Sequence, residues 1–426
     1  MLRFQPHNKL YIINLKEMLN NKCIQKLLLY LSIISIAVIS CRKEEEPGYK
    51  YFVSNELVLT YTETNITNLM DLAVLSYPEI GSIKSYVTSG MNVYRMVYLT
   101  KIGDEEVEAS GLVCVPETPG KYPVLSFQNG TNTMHNNAPS VDVTDISYTL
   151  IQSISSMGFI VLIPDYPGFG SSAQIPHPYL ISEPTVRAIV DMFYALIEGG
   201  ELRFPGAMIE NEYYLLGYSQ GGWASLALHR ALELDYPDDF NLIGSVCGAG
   251  SYNMYNLFLE MISADTYPMP SYLGYVINAY SAYKQFTNPV TDILKEPYAT
   301  NLSSLYTGNL SLDQINNQLN TSISGLFMQD FLDGFVSSPD YSSVRDALVN
   351  NSISPWNSKK PLLFVHGEDD ATVSVTATET MYDEMIGAGT SPSTCTKLIF
   401  PGLDHGDGVI PCMAQGLLFL INLRDQ

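Results

Sequence analysis

The sequence predicts an α/β fold: a mostly parallel central sheet flanked by helices, interrupted by an inserted, mainly helical cap. Three observations predict it. Short runs of almost uninterrupted apolar residues recur along the chain, as expected of strands buried on both faces. Segments of helical periodicity separate these runs, which is the pattern of parallel strands joined by helical crossovers. The alternation stops for about a hundred residues and then resumes.

Residues 50–90 carry no clear period and are expected to be helical or irregular. Residues 91–101 and 107–115 are rich in Val, Tyr and Leu and flank Gly103-Asp104-Glu105, which predicts an antiparallel hairpin. A strand at 123–127, a helix at 147–157 and a strand at 159–164 follow. The helix predicted at 185–198 repeats apolar residues every three or four positions. A strand at 213–217, a helix at 222–234 and a strand at 242–247 complete the first block. Residues 254–356, rich in Tyr, Asn, Ser and Leu, read as the cap. Alternation returns with a strand at 361–366, a helix at 377–386, a strand at 396–400 and a helix at 408–423. Residues 51–253 and 357–426 therefore form one core around the insertion.

The 426 residues are 46% hydrophobic, enough for a large core. Twenty-two basic residues stand against 44 acidic ones, a net charge of −22. Nothing in such a chain neutralises phosphates, so nucleic acid is excluded as a partner. Anionic surfaces and substrates are disfavoured at long range. The spacing of the six cysteines matches no metal or redox motif, and neither a metal nor a cofactor is expected. Cys114 and Cys247 sit in strand-like apolar runs and read as small buried hydrophobes. Cys395 and Cys412 flank a histidine-bearing loop and can pair if the chain is exported.

Residues 27–40 form an apolar run of 14, too short for a bilayer span of about 20 residues. Lys22 and Lys26 precede it, so residues 1–40 read as a secretory signal whose start is Met18 or earlier. The run ends Val38-Ile39-Ser40-Cys41, which resembles the lipobox of bacterial lipoproteins. The resemblance implies a lipid on Cys41. The charged stretch after it, through residue 50, reads as a hydrated tether. Its basic-then-acidic order is similar to leaders of surface-exposed lipoproteins in some Gram-negative bacteria, implying attachment to the outer membrane.

The strongest motif is Gly217-Tyr218-Ser219-Gln220-Gly221, followed by Gly222. It matches G-x-S-x-G between a predicted strand and a predicted helix, the context in which a serine is lifted from a sharp turn as a nucleophile. With that context the chain resembles the α/β-hydrolase superfamily, and Gly-Tyr-Ser-Gln-Gly-Gly is similar to its secretory-lipase-like branch. The resemblance runs from about residue 93 to 423 outside the cap.

A serine hydroxyl needs a base, and the base an orienting acid. The family order is serine, acid, histidine. His229 lies three turns down the helix leaving Ser219, too far to return. His405, in Pro401-Gly402-Leu403-Asp404-His405-Gly406 after the last strand, resembles the family's base. The run Gly367-Glu368-Asp369-Asp370-Ala371-Thr372-Val373 resembles the family's acid loop and implies Asp370, with Asp369 and Glu368 as neighbours that could compete.

The oxyanion donors implied by the resemblance are backbone N–H groups of Gln220 and of the Gly130-Thr131 turn. Family members often carry histidine where this chain has Asn129. Tyr218, beside the serine, and Tyr252 and Tyr255, from a cluster of tyrosines and methionines at residues 251–286, are the expected substrate contacts. The Asp165-Tyr166-Pro167-Gly168-Phe169-Gly170 loop reads as structural. The resulting expectation is a serine hydrolase cleaving small-molecule carboxylic esters through an acyl-enzyme. An exo-peptidase or amidase on the same scaffold and a non-catalytic surface-binding lipoprotein stand as alternatives. Oligomeric state is not legible.

Overall fold

The computed structural model describes residues 48–426. The signal segment at 1–40, Cys41 and most of the tether lie outside the described residues.

Nine strands form one sheet in the order β1-β2-β3-β5-β4-β6-β7-β8-β9. They are β1 (Phe52–Tyr61), β2 (Met91–Ile102), β3 (Glu105–Pro116), β4 (Gly120–Gln128), β5 (Ile160–Pro164), β6 (Ala207–Tyr218), β7 (Leu242–Gly248), β8 (Leu362–Gly367) and β9 (Cys395–Phe400). The pairs from β1 through β3 to β5 are antiparallel, and those from β5 through β4 to β9 are parallel. The swap of β4 and β5 marks the point from which the chain winds outward across the sheet.

The hairpin and the alternating block fold as the apolar patterning predicts. β1 corrects the sequence reading of residues 50–90. It is an edge strand paired only with β2, and most of its residues are exposed or half-exposed. With one face wet and one edge free, it carries neither a continuous apolar run nor a clean alternation. The helix Glu63–Ser76 follows it, started by a capping box between Thr62 and Asn65.

Central strands are buried from end to end. Val124, Leu125, Ile160, Val161, Leu162, Leu215, Val246 and Phe364 are all below 2% exposed. The long helices Ser182–Arg203 and Gln220–Leu234 cover one face, against a cluster containing Phe193, Tyr213 and Trp223. The helix Val409–Arg424 covers the other with Leu417, Leu420 and Ile421.

Between β7 and β8 the chain leaves the sheet and forms the helical cap. Its main helices are Met254–Ser263, Pro270–Ala282, Tyr298–Leu305 and Ser342–Asn350. Phe258, Phe327, Phe331 and Phe335 pack against one another as its aromatic centre. No helix among the described residues is long and apolar enough to cross a membrane. Cys395 and Cys412 are both free and buried, and burial pushes each thiol up to about 12. They do not form the disulfide that their spacing allowed.

Candidate active site

The parallel strands end together at the edge where the site is built. β6 ends at Tyr218, and the helix Gln220–Leu234 starts two residues later. Ser219 makes the whole turn, with φ 58° and ψ −122°. This is left-handed backbone that side chains rarely adopt. The Ser219 N–H donates to the Gly248 carbonyl at 2.8 Å, and the Ser219 carbonyl accepts from the Trp223 N–H at 3.1 Å. The glycines permit the close approach. A Cβ on Gly221 would overlap the Gln128 carbonyl, and one on Gly222 would overlap the carbonyl of Gly248.

The Ser219 hydroxyl lies 2.9 Å from His405 Nε2, and His405 Nδ1 lies 2.6 Å from Asp370 Oδ2. A neutral imidazole with its proton on Nδ1 donates to the carboxylate and leaves Nε2 to accept from the hydroxyl. The loop carrying His405 is tied down by Tyr218, whose hydroxyl donates to the His405 carbonyl at 2.9 Å.

Asp370 is held from four sides. Oδ1 accepts from the N–H groups of Thr372 at 2.9 Å and Val373 at 2.8 Å. Oδ2 accepts from His405 and, at 3.2 Å, from His366 Nε2. Burial alone would raise this carboxyl. Hydrogen bonds from His366 and His405, the His405 charge and the Val373 N–H outweigh it and hold the group well below the usual carboxylate range. Asp369 and Glu368, the neighbours that could have competed, are exposed. Asp404 turns away and accepts from the N–H groups of Gly406 and Asp407.

Gly130 and Thr131 follow β4 and line the same groove as Ser219 and His405. The Thr131 hydroxyl is already engaged, 2.9 Å from the Tyr179 hydroxyl. Gln220 is buried, and its amide Nε2 donates to His177 Nε2 at 2.9 Å. His177 donates from Nδ1 to the Pro167 carbonyl at 2.8 Å. Burial, opposed only by that carbonyl, pushes the imidazole down to about 4. Asn129, in the position where the family often has histidine, donates from Nδ2 to the Pro164 carbonyl and so links β4 to β5.

The model of the secretory lipase family matches residues 135–405, well over half of the chain. The chain belongs to the secretory lipase family. Its fold is the α/β-hydrolase fold. A Legionella pneumophila protein aligns with a TM-score of 0.78 at 23% identity, over 88% of this chain and 99% of its own. The rice cell wall degrading esterase LipA from Xanthomonas oryzae aligns with a TM-score of 0.74 at 23% identity, over 89% and 98%. Candida antarctica lipase A in its closed state gives 0.65 at 16%, over 89% and 86%. At these identities the likeness is one of fold. Among curated proteins, no sequence is similar enough to be matched.

On this secretory lipase scaffold, two of the three expected substrate contacts point elsewhere. Tyr252 is fully buried. Its hydroxyl donates to the Cys247 carbonyl, and its ring packs on Phe364. Tyr255 stacks on Phe335 inside the cap, with ring centres 5.7 Å apart. Neither lines a cavity at Ser219. Tyr218 does, and Tyr179 and Tyr272 join it. Tyr272 belongs to the tyrosine cluster in the sequence, where nothing local separates it from Tyr252. His177 and His366 are the other side chains the sequence reading missed. Each is an apolar-flanked histidine whose only signal is its partner in space.

Proposed function

We propose that this secretory lipase family member hydrolyses carboxylic esters, with Ser219 as nucleophile, His405 as base and acid, and Asp370 as the orienting acid. The reading rests on one observation: the chain of hydrogen bonds Ser219–His405–Asp370, at 2.9 and 2.6 Å, opening onto a groove. Ser219 Oγ bonds to the ester carbonyl carbon as its proton passes to His405 Nε2. Asp370 stabilises the imidazolium that results. When the tetrahedral adduct collapses, the carbon–oxygen bond to the alcohol breaks, and His405 returns the proton to the departing oxygen. Water, deprotonated by His405, then releases the acid. The carbonyl oxygen is stabilised by the backbone N–H of Gln220, at the start of its helix, and by the Gly130-Thr131 turn. The helical insertion, residues 254–356, acts as the cap over this site.

The test is covalent labelling. A fluorophosphonate should modify Ser219 and abolish turnover of a nitrophenyl ester. A chain that is unlabelled, or that turns over esters as Ser219→Ala, rules the reading out.

We further infer that residues 1–40 export the chain and that a lipid on Cys41 anchors it to the outer membrane of a Gram-negative bacterium. The support is the apolar run and Ser40-Cys41 at its end. Membrane fractionation decides it: Cys41→Ala should leave the membrane fraction, and its retention there would overturn the anchor.

A further inference from the structure

Two cavities of very different size meet at Ser219. One is a pocket of about 30 Å3 under the cap, walled by Met254, Leu257, Phe258, Met261, Leu273 and Val276. The other is an open groove of about 760 Å3, with Leu69, Phe127, Ile151 and Ile410 among its apolar residues and Asn137 and Asp142 among its polar ones. Ser219 and Tyr272 line both. His405 borders the groove and not the pocket.

The position of His405 orients the substrate. The departing alcohol oxygen takes its proton from His405 Nε2, so the alcohol lies on the histidine side, in the groove. The acyl substituent leaves the carbonyl carbon in the other direction, into the pocket. A pocket of about 30 Å3 beside a groove of about 760 Å3 has room for a short acyl group and not for a long chain. Its walls are tightly packed: Phe258 is 3% exposed and Leu273 1%. Asp142 and Asp145 line the groove, and among the described residues lining it there is no lysine or arginine. On a chain of net charge −22 this disfavours a negatively charged alcohol.

We propose that the preferred substrates are short-chain acyl esters, acetyl to butyryl, of bulky alcohols that carry no negative charge. The proposal rests on the ester-hydrolase reading and refines it.

The experiment uses the full chain in detergent with 2-naphthyl acetate, butyrate, octanoate and laurate, and with the 6-sulfonate of the butyrate. kcat/KM should be similar for acetate and butyrate and fall by at least about tenfold at octanoate, because a tight apolar wall rejects added methylenes. The sulfonate should be cut more slowly than the neutral butyrate at low ionic strength, with the gap narrowing in salt. Phe258→Ala should raise the octanoate-to-butyrate ratio, and so should Met261→Ala, a half-buried position less demanding of the fold. Laurate cleaved as fast as butyrate overturns the size limit, and an unaltered ratio in the folded variants overturns the pocket assignment. A sulfonate cut as fast as the neutral ester at low salt overturns the charge preference. Fluorophosphonate labelling in parallel separates the two levels. Labelled Ser219 with an unexpected chain-length profile defeats only this proposal, whereas no labelling and no turnover of any ester defeats the function itself.

Discussion

Asp370 is a buried carboxylate with four donors around it, and in the proposed mechanism it keeps a proton on His405 Nδ1. Asp370→Asn replaces an acceptor by a group that can present an amide N–H, which favours the wrong imidazole tautomer. We expect kcat to fall by about 10⁴-fold with KM changed far less, measured by steady-state ester hydrolysis. His177 offers a second test at the same scale. It is neutral in the fold, pushed down to about 4, whereas an unfolded histidine titrates near 6.5. A depressed value means the unfolded chain binds the extra proton first. Stability is therefore complete above about pH 6.5 and is lost as pH falls toward 4, by about 3 kcal/mol for this group. Urea unfolding at pH 7 and pH 4 should show that slope in the native chain and lack this part of it in His177→Asn. Ser219, Asp370 and His405, which the structure brings within hydrogen-bond reach, each stand in a short motif at a strand end that resembles the family's. His177 and His366 were not legible, because a histidine in an apolar run reads the same whether or not a partner waits across the fold.

At the scale of elements, the strand–turn–helix at Ser219 holds because glycines let β6 and its helix crowd against β4 and β7. The Gln128 carbonyl, at the end of β4, occupies the space a side chain at Gly221 would need. Gly221→Ala should cost about 3 kcal/mol or abolish folding, since backbone atoms cannot rotate out of the way. The midpoint of urea denaturation checks this. Central strands were legible from their apolar runs, though β6 starts at Ala207, six residues before its predicted first residue. Its opening residues include Glu210 and Glu212 and are partly exposed, so they lack the apolar signal. β1 was missed for a related reason: strand pairing at a sheet edge is a property of the neighbour, not of the strand's own composition.

Across the whole molecule, one continuous apolar cluster runs from Val113 and Leu215 in the sheet to Phe258, Phe327 and Phe331 in the cap. Tyr280 in the cap donates to the Leu180 carbonyl in the core, and Trp223 in the core donates to the Asn351 carbonyl. Shared packing of this kind leaves no weak plane at which the cap can detach and unfold alone. Calorimetry should record one cooperative transition for residues 48–426, with the calorimetric and van't Hoff enthalpies equal. Two resolved transitions would show the cap to be independently stable.

The amino-acid order determined the alternation of strand and helix and the place of the insertion, and its motifs resemble those of a family in which Ser219, Asp370 and His405 would form the triad. The alternation and the insertion follow from patterns within a few residues, where sterics and periodicity act locally. The tertiary structure alone decided which aromatic rings meet the substrate space. Tyr252 and Tyr272 have similar surroundings in the chain. One is buried under Phe364, and the other stands between pocket and groove, because cap and sheet approach each other only once both have folded.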